Sequence, residues 1–269
     1  MPEIADRYSQ ILAALFAEKY SQGATEISFA REEFTRIAAM FDVALPKNLG
    51  DVVYSFRYRK ALPESISSTA PAGHEWIIRP AGRGRYRLVL APELRIIPAL
   101  DAVETKLLDG TPGIIARYAM SDEQALLARI RYNRLIDIFT GLTCHSLQSH
   151  LRTTVANMGQ VETDEVYIGV NREGAHFVLP VQAKGPRDRI GRVQIEQDVE
   201  MCRAKFPAAT CRPIAAQLME QNKVALFEFE DTSDGLRRRT EKYYRLVPRG
   251  ELSDADLERY RQRSGEAAG

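Results

Sequence analysis

Long hydrophobic runs are missing from this chain. None approaches the ~20 apolar residues that a membrane-spanning helix needs, and the opening MPEIADRYSQ lacks the basic-then-apolar order of a signal peptide. A cytoplasmic protein with no membrane partner is expected. Cysteine is scarce: Cys144, Cys202 and Cys211 are an odd number without CxxC spacing, which argues against a disulfide framework and a zinc ribbon. Cys144-His145 with His150 lacks a fourth ligand at zinc spacing. No GK[ST] follows Gly82-Arg-Gly84, so there is no P-loop, and no GxSxG elbow supports a serine triad. There is no internal repeat and no excess of one charge, since the formal net charge is +1.

What is present is ordinary globular composition. With 269 residues, 45% hydrophobic and 27% charged, the chain can bury one or two conventional cores, and two domains are expected. Charge is uneven along it. Between Pro46 and Arg95 there are nine Lys/Arg against four acids, an excess suited to a polyanion.

The first segment sets Ile4, Tyr8, Ile11, Leu12, Leu15 and Phe16 on one side of a helix that stops at Gly23. Ser28 is placed to cap a second helix carrying Phe34, Ile37, Ala38 and Phe41. A third is expected from Asn48, with Asp51 three residues on, to Tyr58, ending in the basic string Arg57-Tyr-Arg59-Lys60. Two β-like runs follow, Trp76 to Arg79 and Tyr86 to Leu90, about a turn at Gly82-Arg-Gly84, where glycine accepts positive φ cheaply. Trp76 reads as a core residue beneath them. Three helices and a basic hairpin resemble a winged helix-turn-helix. Its third helix would then enter the major groove, and Lys47, Asn48, Arg57, Arg59, Lys60, Arg79, Arg83, Arg85 and Arg87 become candidate DNA-binding residues.

Residues 101–120 show no strong periodicity and read as a connector. Ser121 with Gln124 suggests a capping box opening a helix to about Phe139, and Leu147, Leu151 and Val155 suggest another after Gly141. The period then shifts to two. Val161 to Val170 and Ala175 to Lys184 read as a β-hairpin about Asn171 to Gly174, followed by a helix near Arg192 to Lys205 and apolar runs at Arg212 to Met219 and Val224 to Phe229. The tail, 251–269, is charged and either frayed or helical.

The chemistry concentrates on that hairpin. Gln182 and Lys184 are two residues apart and share a strand face. The strand before offers Glu162 and Asp164 on one face and Glu165 on the other, and closure at the turn brings Asp164 to the same end as Lys184. A carboxylate, an amide oxygen and a substrate phosphate can share a hard cation such as Mg²⁺. Lys184 beside the phosphate can orient the attacking water and balance developing charge.

Asp164, 17 intervening residues, then Gln182-Ala-Lys184 before a helix and a strand resembles the PD-(D/E)xK nuclease superfamily, and more narrowly its Mrr-like QxK branch. The resemblance covers about Ser121 to Phe229. It implies that Asp164 and Gln182 bind Mg²⁺ and that Lys184 is catalytic. A polar residue on the following helix, Gln194, Glu196 or Gln197, completes the set. The family's proline is absent, since Thr163 precedes Asp164, and a slip of register would make Glu162 or Glu165 the acidic ligand.

The expected fold is α/β: a winged helix at 1–100, a connector at 101–120, a restriction-endonuclease-like core with a mixed β-sheet flanked by helices at 121–250, and the tail. The expected activity is Mg²⁺-dependent endonucleolytic cleavage of double-stranded DNA by a restriction or defence enzyme, acting as a homodimer because two cuts need two sites. The alternatives are a DNA-binding transcriptional regulator whose second domain senses a ligand or dimerises, and a protein-interaction module without DNA affinity.

Overall fold

The structure, a computed structural model, describes residues 4–266 apart from 59, 95, 119–122, 157, 187, 189 and 234. Arg59, and Ser121 of the expected capping box, therefore lie outside the described residues.

The N-terminal unit begins with α1 (Ile4–Lys19) and continues through β1 (Glu26–Ala30), α2 (Glu33–Met40), α3 (Gly50–Tyr58), α4 (Glu64–Ser67), β2 (His74–Pro80) and β3 (Arg85–Pro92). The three strands form an antiparallel sheet in the order β1-β3-β2. Ile11, Leu12, Leu15 and Phe16 of α1 pack with Phe34, Ile37, Val53, Trp76 and Leu88 in one core. The Trp76 indole N–H donates to Thr69 Oγ1 at 2.9 Å, so the ring is buried with its polar atom satisfied. The hairpin turns as expected, with Gly82 at φ 110° and Gly84 at φ 69°.

Ser28 does not cap a helix. Ile27 and Phe29 point inward while Glu26 and Ser28 face out, a period of two that makes this segment a strand, and Ser28 pairs with Arg87. The second helix starts at Glu33 instead. Asn48 does introduce α3: its Oδ1 accepts from Gly50 N at 3.1 Å and its Nδ2 donates to Asp51 Oδ1 at 2.8 Å.

The larger unit comprises β4 (Glu104–Leu108), α5 (Gly113–Tyr118), α6 (Glu123–Tyr132), α7 (Leu135–Thr140), β5 (Thr143–Val155), β6 (Gly159–Val170), β7 (His176–Lys184), α8 (Arg192–Lys205), β8 (Thr210–Cys211), β9 (Ile214–Leu218), β10 (Lys223–Thr232), β11 (Gly235–Val247) and α9 (Asp254–Glu266). Its eight-stranded sheet runs β4-β11-β10-β9-β7-β6-β5, with β8 beside β7. It is mixed: β4 is parallel to β11, and β7 is parallel to β9 and β8, while the other neighbours are antiparallel. Alternate residues cover opposite faces. Val181, Ala183, Ala216 and Leu226 meet α6 and α7, whereas Ala215, Phe227 and Val178 meet α8. Helices on both faces of a sheet give a three-layer core.

The larger unit departs from three expectations. The stretch 101–120 is not a plain connector, because β4 joins the large sheet through β11 and α5 follows it. The helix expected over Leu147 to Val155 is the edge strand β5, paired with β6 along its length. The single helix expected to reach Phe139 is two, α6 and α7, broken where Arg134 takes φ 49°.

The two units meet on α8. Arg79 of β2 forms a forked ion pair with Glu196, with N–O distances of 2.9 and 2.7 Å. Arg192 reaches the same carboxylate at 2.7 Å and also donates to the Pro92 carbonyl. Val193 packs against Ile77 and Ala91 beside these charges.

The tail is helical. Ser253 and Asp256 form a capping box on α9: Asp256 N donates to Ser253 Oγ at 3.2 Å, and Ser253 N to Asp256 Oδ2 at 3.1 Å. Lys106 Nζ donates to the same carboxylate at 3.2 Å, and Lys106 N donates to Tyr260 OH at 2.8 Å, so α9 covers part of edge strand β4. The Ser253 amide and hydroxyl, then Lys106, hold the Asp256 carboxyl well below the usual carboxylate range. A folded pKa below the unfolded ~3.9 contributes stability that is complete at neutral pH and is lost as pH falls through the depressed value. Asp256→Asn should therefore speed hydrogen exchange of the α9 amides at pH 6, with the gap from wild type closing towards strongly acidic pH.

Candidate active site where two strands part

Strands β6 and β7 pair from Val170↔His176 only as far as Glu165↔Val181. Beyond that point β6 continues against β5, while β7 continues against β9 through Lys184↔Gln217. The hairpin therefore forks, and backbone groups left without a ladder partner need other ones. Side chains supply them. Asp164 Oδ2 accepts from Ala183 N at 2.8 Å, and Gln182 Nε2 donates to the Glu162 carbonyl at 3.1 Å. Alternation also breaks at Asp164, since Thr163 contacts α8 whereas Glu165 contacts α6, although a regular strand would put both on one face.

Asp164, Gln182 and Lys184 come together at this fork, and Glu123, at the start of α6, joins them. Lys184, the last residue of β7, extends to Glu123 with Nζ 2.5 Å from Oε1, its side chain only 15% exposed. Burial pushes the Asp164 carboxyl above its ordinary range; the Ala183 N–H and Lys184 oppose this, Glu123 adds to it and His150 opposes it. His150 of the neighbouring strand β5, between Ser149 and Leu151, which pair with Glu165 and Thr163, takes φ 50° and has Nε2 2.8 Å from Gln124 Nε2.

Behind the fork sits Asp198 of α8, fully buried. It accepts from Thr163 Oγ1 at 2.6 Å and from Gln182 Nε2 at 3.0 and 3.2 Å. Burial pushes its carboxyl up to about 8, against the pull of those two hydrogen bonds and with a further push from Asp164. Gln194, one turn earlier, donates to Gln182 Oε1 at 3.4 Å.

The other acids expected here do other work. Glu165 is fully buried on the α6 side, held by Arg131 through two 3.0 Å bonds and by Ser146 Oγ at 2.6 Å. Glu162 is exposed and pairs with Arg152 at 2.9 Å. Glu196 is bound to Arg79 and Arg192, and Gln197 is buried on α8. Of the three acids of β6, Asp164 is the one beside Ala183 and Lys184 at the fork.

Among the expected DNA-binding residues, Lys47, Arg83 and Arg85 are exposed. Arg57 and Lys60 are half-buried, and Asn48 is exposed but engaged at the start of α3. Arg79 is taken by Glu196, and Arg87 pairs with Glu26 at 3.0 Å.

Among the described residues no group of three or more His, Cys, Asp or Glu side chains is placed to hold a metal. The fork nevertheless carries the carboxylates of Asp164 and Glu123, and the Gln182 amide beside them has its oxygen 3.4 Å from Gln194 Nε2. These are hard oxygen donors, a set that suits Mg²⁺ better than a soft metal. A burial-raised carboxyl beside a second carboxylate is also a group that a cation would stabilise in its charged form.

Sequence reading missed two members of this cluster. Glu123 was hidden in an apparent capping sequence. Asp198 had a usable signal: with Ile195, Val199 and Cys202 it stands at positions i, i+3, i+4 and i+7 of one buried stripe, a carboxylate in an otherwise apolar row. Comparison with protein-family models, with curated proteins and with solved structures finds no match to this chain.

Proposed function

We propose that this chain is a Mg²⁺-dependent endonuclease of duplex DNA, of the PD-(D/E)xK type in its QxK form, with the N-terminal unit acting as a winged-helix DNA reader. The observation that carries the reading is the fork between β6 and β7, which gathers Asp164, Gln182 and Lys184 with Glu123.

Each side chain has a role that follows from its placement. Lys184 has a largely buried stem and a single described carboxylate partner, so its ammonium is aimed rather than free to wander. Beside a phosphodiester it would neutralise charge on the non-bridging oxygens and orient the attacking water. Glu123 keeps that ammonium in place until substrate arrives. Asp164, fixed by the Ala183 N–H, and the Gln182 oxygen would hold the cation together with Glu123. A bound Mg²⁺ supplies Lewis acidity and makes water a better nucleophile near neutral pH.

Lys47, Arg83 and Arg85 are the exposed cations for phosphate contact, while Arg79 orients the reader on α8. A restriction or defence role in the cytoplasm suits a reader joined to a small catalytic core, and cleavage of both strands calls for a homodimer.

The test is incubation of the full chain with plasmid and phage DNA, modified and unmodified, in Mg²⁺ or EDTA, alongside binding at low salt. Discrete fragments that require Mg²⁺ are expected. Binding without cutting under every metal and modification state would replace the reading with a DNA-binding regulator, and no binding at low salt would remove DNA altogether.

A further inference from the structure

Gln182 stands where an acid would present oxygen whichever way it turned. A glutamine presents oxygen in only one of its two amide orientations, so a metal-binding glutamine needs something to choose between them. The structure contains such a device. Gln182 Nε2 lies 3.1 Å from the Glu162 carbonyl, an atom that can only accept, and 3.0 Å from Asp198 Oδ2. Both amide protons have acceptors on that side. Turned over, the amide would set its oxygen against the Glu162 carbonyl, two acceptors with no proton between them.

Asp198 is itself held. Thr163 Oγ1 lies 2.6 Å from its Oδ1, and the carboxyl is fully buried, so it has little room to follow a rotating amide. The described contact to Gln182 Oε1 is only the long 3.4 Å approach of Gln194 Nε2.

We infer that Asp198, backed by Thr163, is a positioning residue that keeps the Gln182 amide nitrogen on the side of the Glu162 carbonyl and so fixes its oxygen on the other side, as a ligand for a divalent cation. The inference rests on the Mg²⁺ site proposed above. It assigns Asp198 no contact with substrate or metal, only control of which atom of Gln182 faces the cation.

The test is Mn²⁺ binding to the full chain, followed by the electron paramagnetic resonance signal of free Mn²⁺, a readout independent of cleavage. Asp198→Ala should weaken binding about tenfold, the scale on which groups behind a metal ligand act. In the Gln182→Glu background the effect should shrink to less than about twofold, because a carboxylate presents oxygen whichever way it turns and needs no lock. Circular dichroism melts of the four proteins establish that each is folded. Thr163→Val, which leaves Asp198 in place but frees one of its oxygens, should weaken binding in the same direction by less, and it serves if Asp198→Ala does not fold.

Weakening confined to the glutamine background supports the assignment. Equal weakening in both overturns it, because a damaged fold would not distinguish amide from carboxylate. Unchanged binding in Asp198→Ala overturns it while leaving the proposed site standing. Absence of Mn²⁺ binding by the wild type overturns both.

Discussion

Lys184→Ala should reduce the proposed Mg²⁺-dependent DNA cleavage by about 10²- to 10³-fold, the loss typical of removing one group that stabilises developing negative charge. It should do so with little change in stability. Among the described residues the ion pair of Lys184 is with Glu123, which is partly exposed and regains water when the lysine goes, so the loss of that pair should cost no more than about 1 kcal/mol. DNA affinity should also hold, because the proposed phosphate contacts sit on the N-terminal unit. A large rate loss with unchanged unfolding and unchanged DNA binding is the pattern to look for in single-turnover cleavage, melts and binding on one preparation. A variant that cuts as well as wild type would remove Lys184 from the mechanism.

The second large effect is on stability. Arg131→Met should lower the unfolding free energy by about 3 kcal/mol, because it strands a fully buried carboxylate. Glu165 would keep Ser146 Oγ but lose both guanidinium bonds. At roughly 2–4 °C per kcal/mol for a chain somewhat smaller than this one, the melting temperature should fall by about 10 °C. Mn²⁺ binding below the transition should be unchanged, since Glu165 faces away from the fork. Loss of metal binding in this variant, with the fold intact, would return Glu165 to the candidate ligands.

The hairpin was legible because both its strands are largely buried and bounded by a clear turn. Asn171 Oδ1 accepts from Glu173 N and Ala175 N, and Gly174 takes φ 81°, which is the chemistry expected of those residues. Strand β5 was not legible. It is the edge of the sheet and mostly exposed, so no apolar alternation marks it, and Leu147, Leu151 and Val155 imitate helical spacing by their intervals of four. Strand β11 escaped notice for a related reason: Arg237, Arg238, Arg239, Glu241 and Lys242 fill its middle, and its inward residues gather at the far end in Tyr243, Tyr244, Leu246 and Val247. The segment containing β4 is five residues of strand with partners far along the chain, and local pattern carries no record of such pairing.

The site divides in the same way. Asp164, Gln182 and Lys184 lie on two adjacent strands, and their juxtaposition follows from one turn. Glu123 and Asp198 reach the fork from helices on opposite faces of the sheet, and only packing decides which residue of a helix arrives there. Which of Glu162, Asp164 and Glu165 stands beside Lys184 also needed the structure, because the break in alternation at Asp164 defeats a count by twos.

The parallel pairing of β4 with β11 has a consequence for the order in which the chain can be built. Glu104 and Arg245, joined across these strands, are 141 residues apart in sequence. The small sheet draws all its strands from residues 26–92 and can form once that much chain has left the ribosome. The large sheet cannot gain its outer strand β4 until Gly235–Val247 have been made, and such distant pairing is slow because loop closure precedes any gain from contact. During synthesis the completed N-terminal unit thus waits beside a half-built sheet, with the apolar surface around Ile77, Ala91 and Val89 uncovered until α8 arrives to meet it.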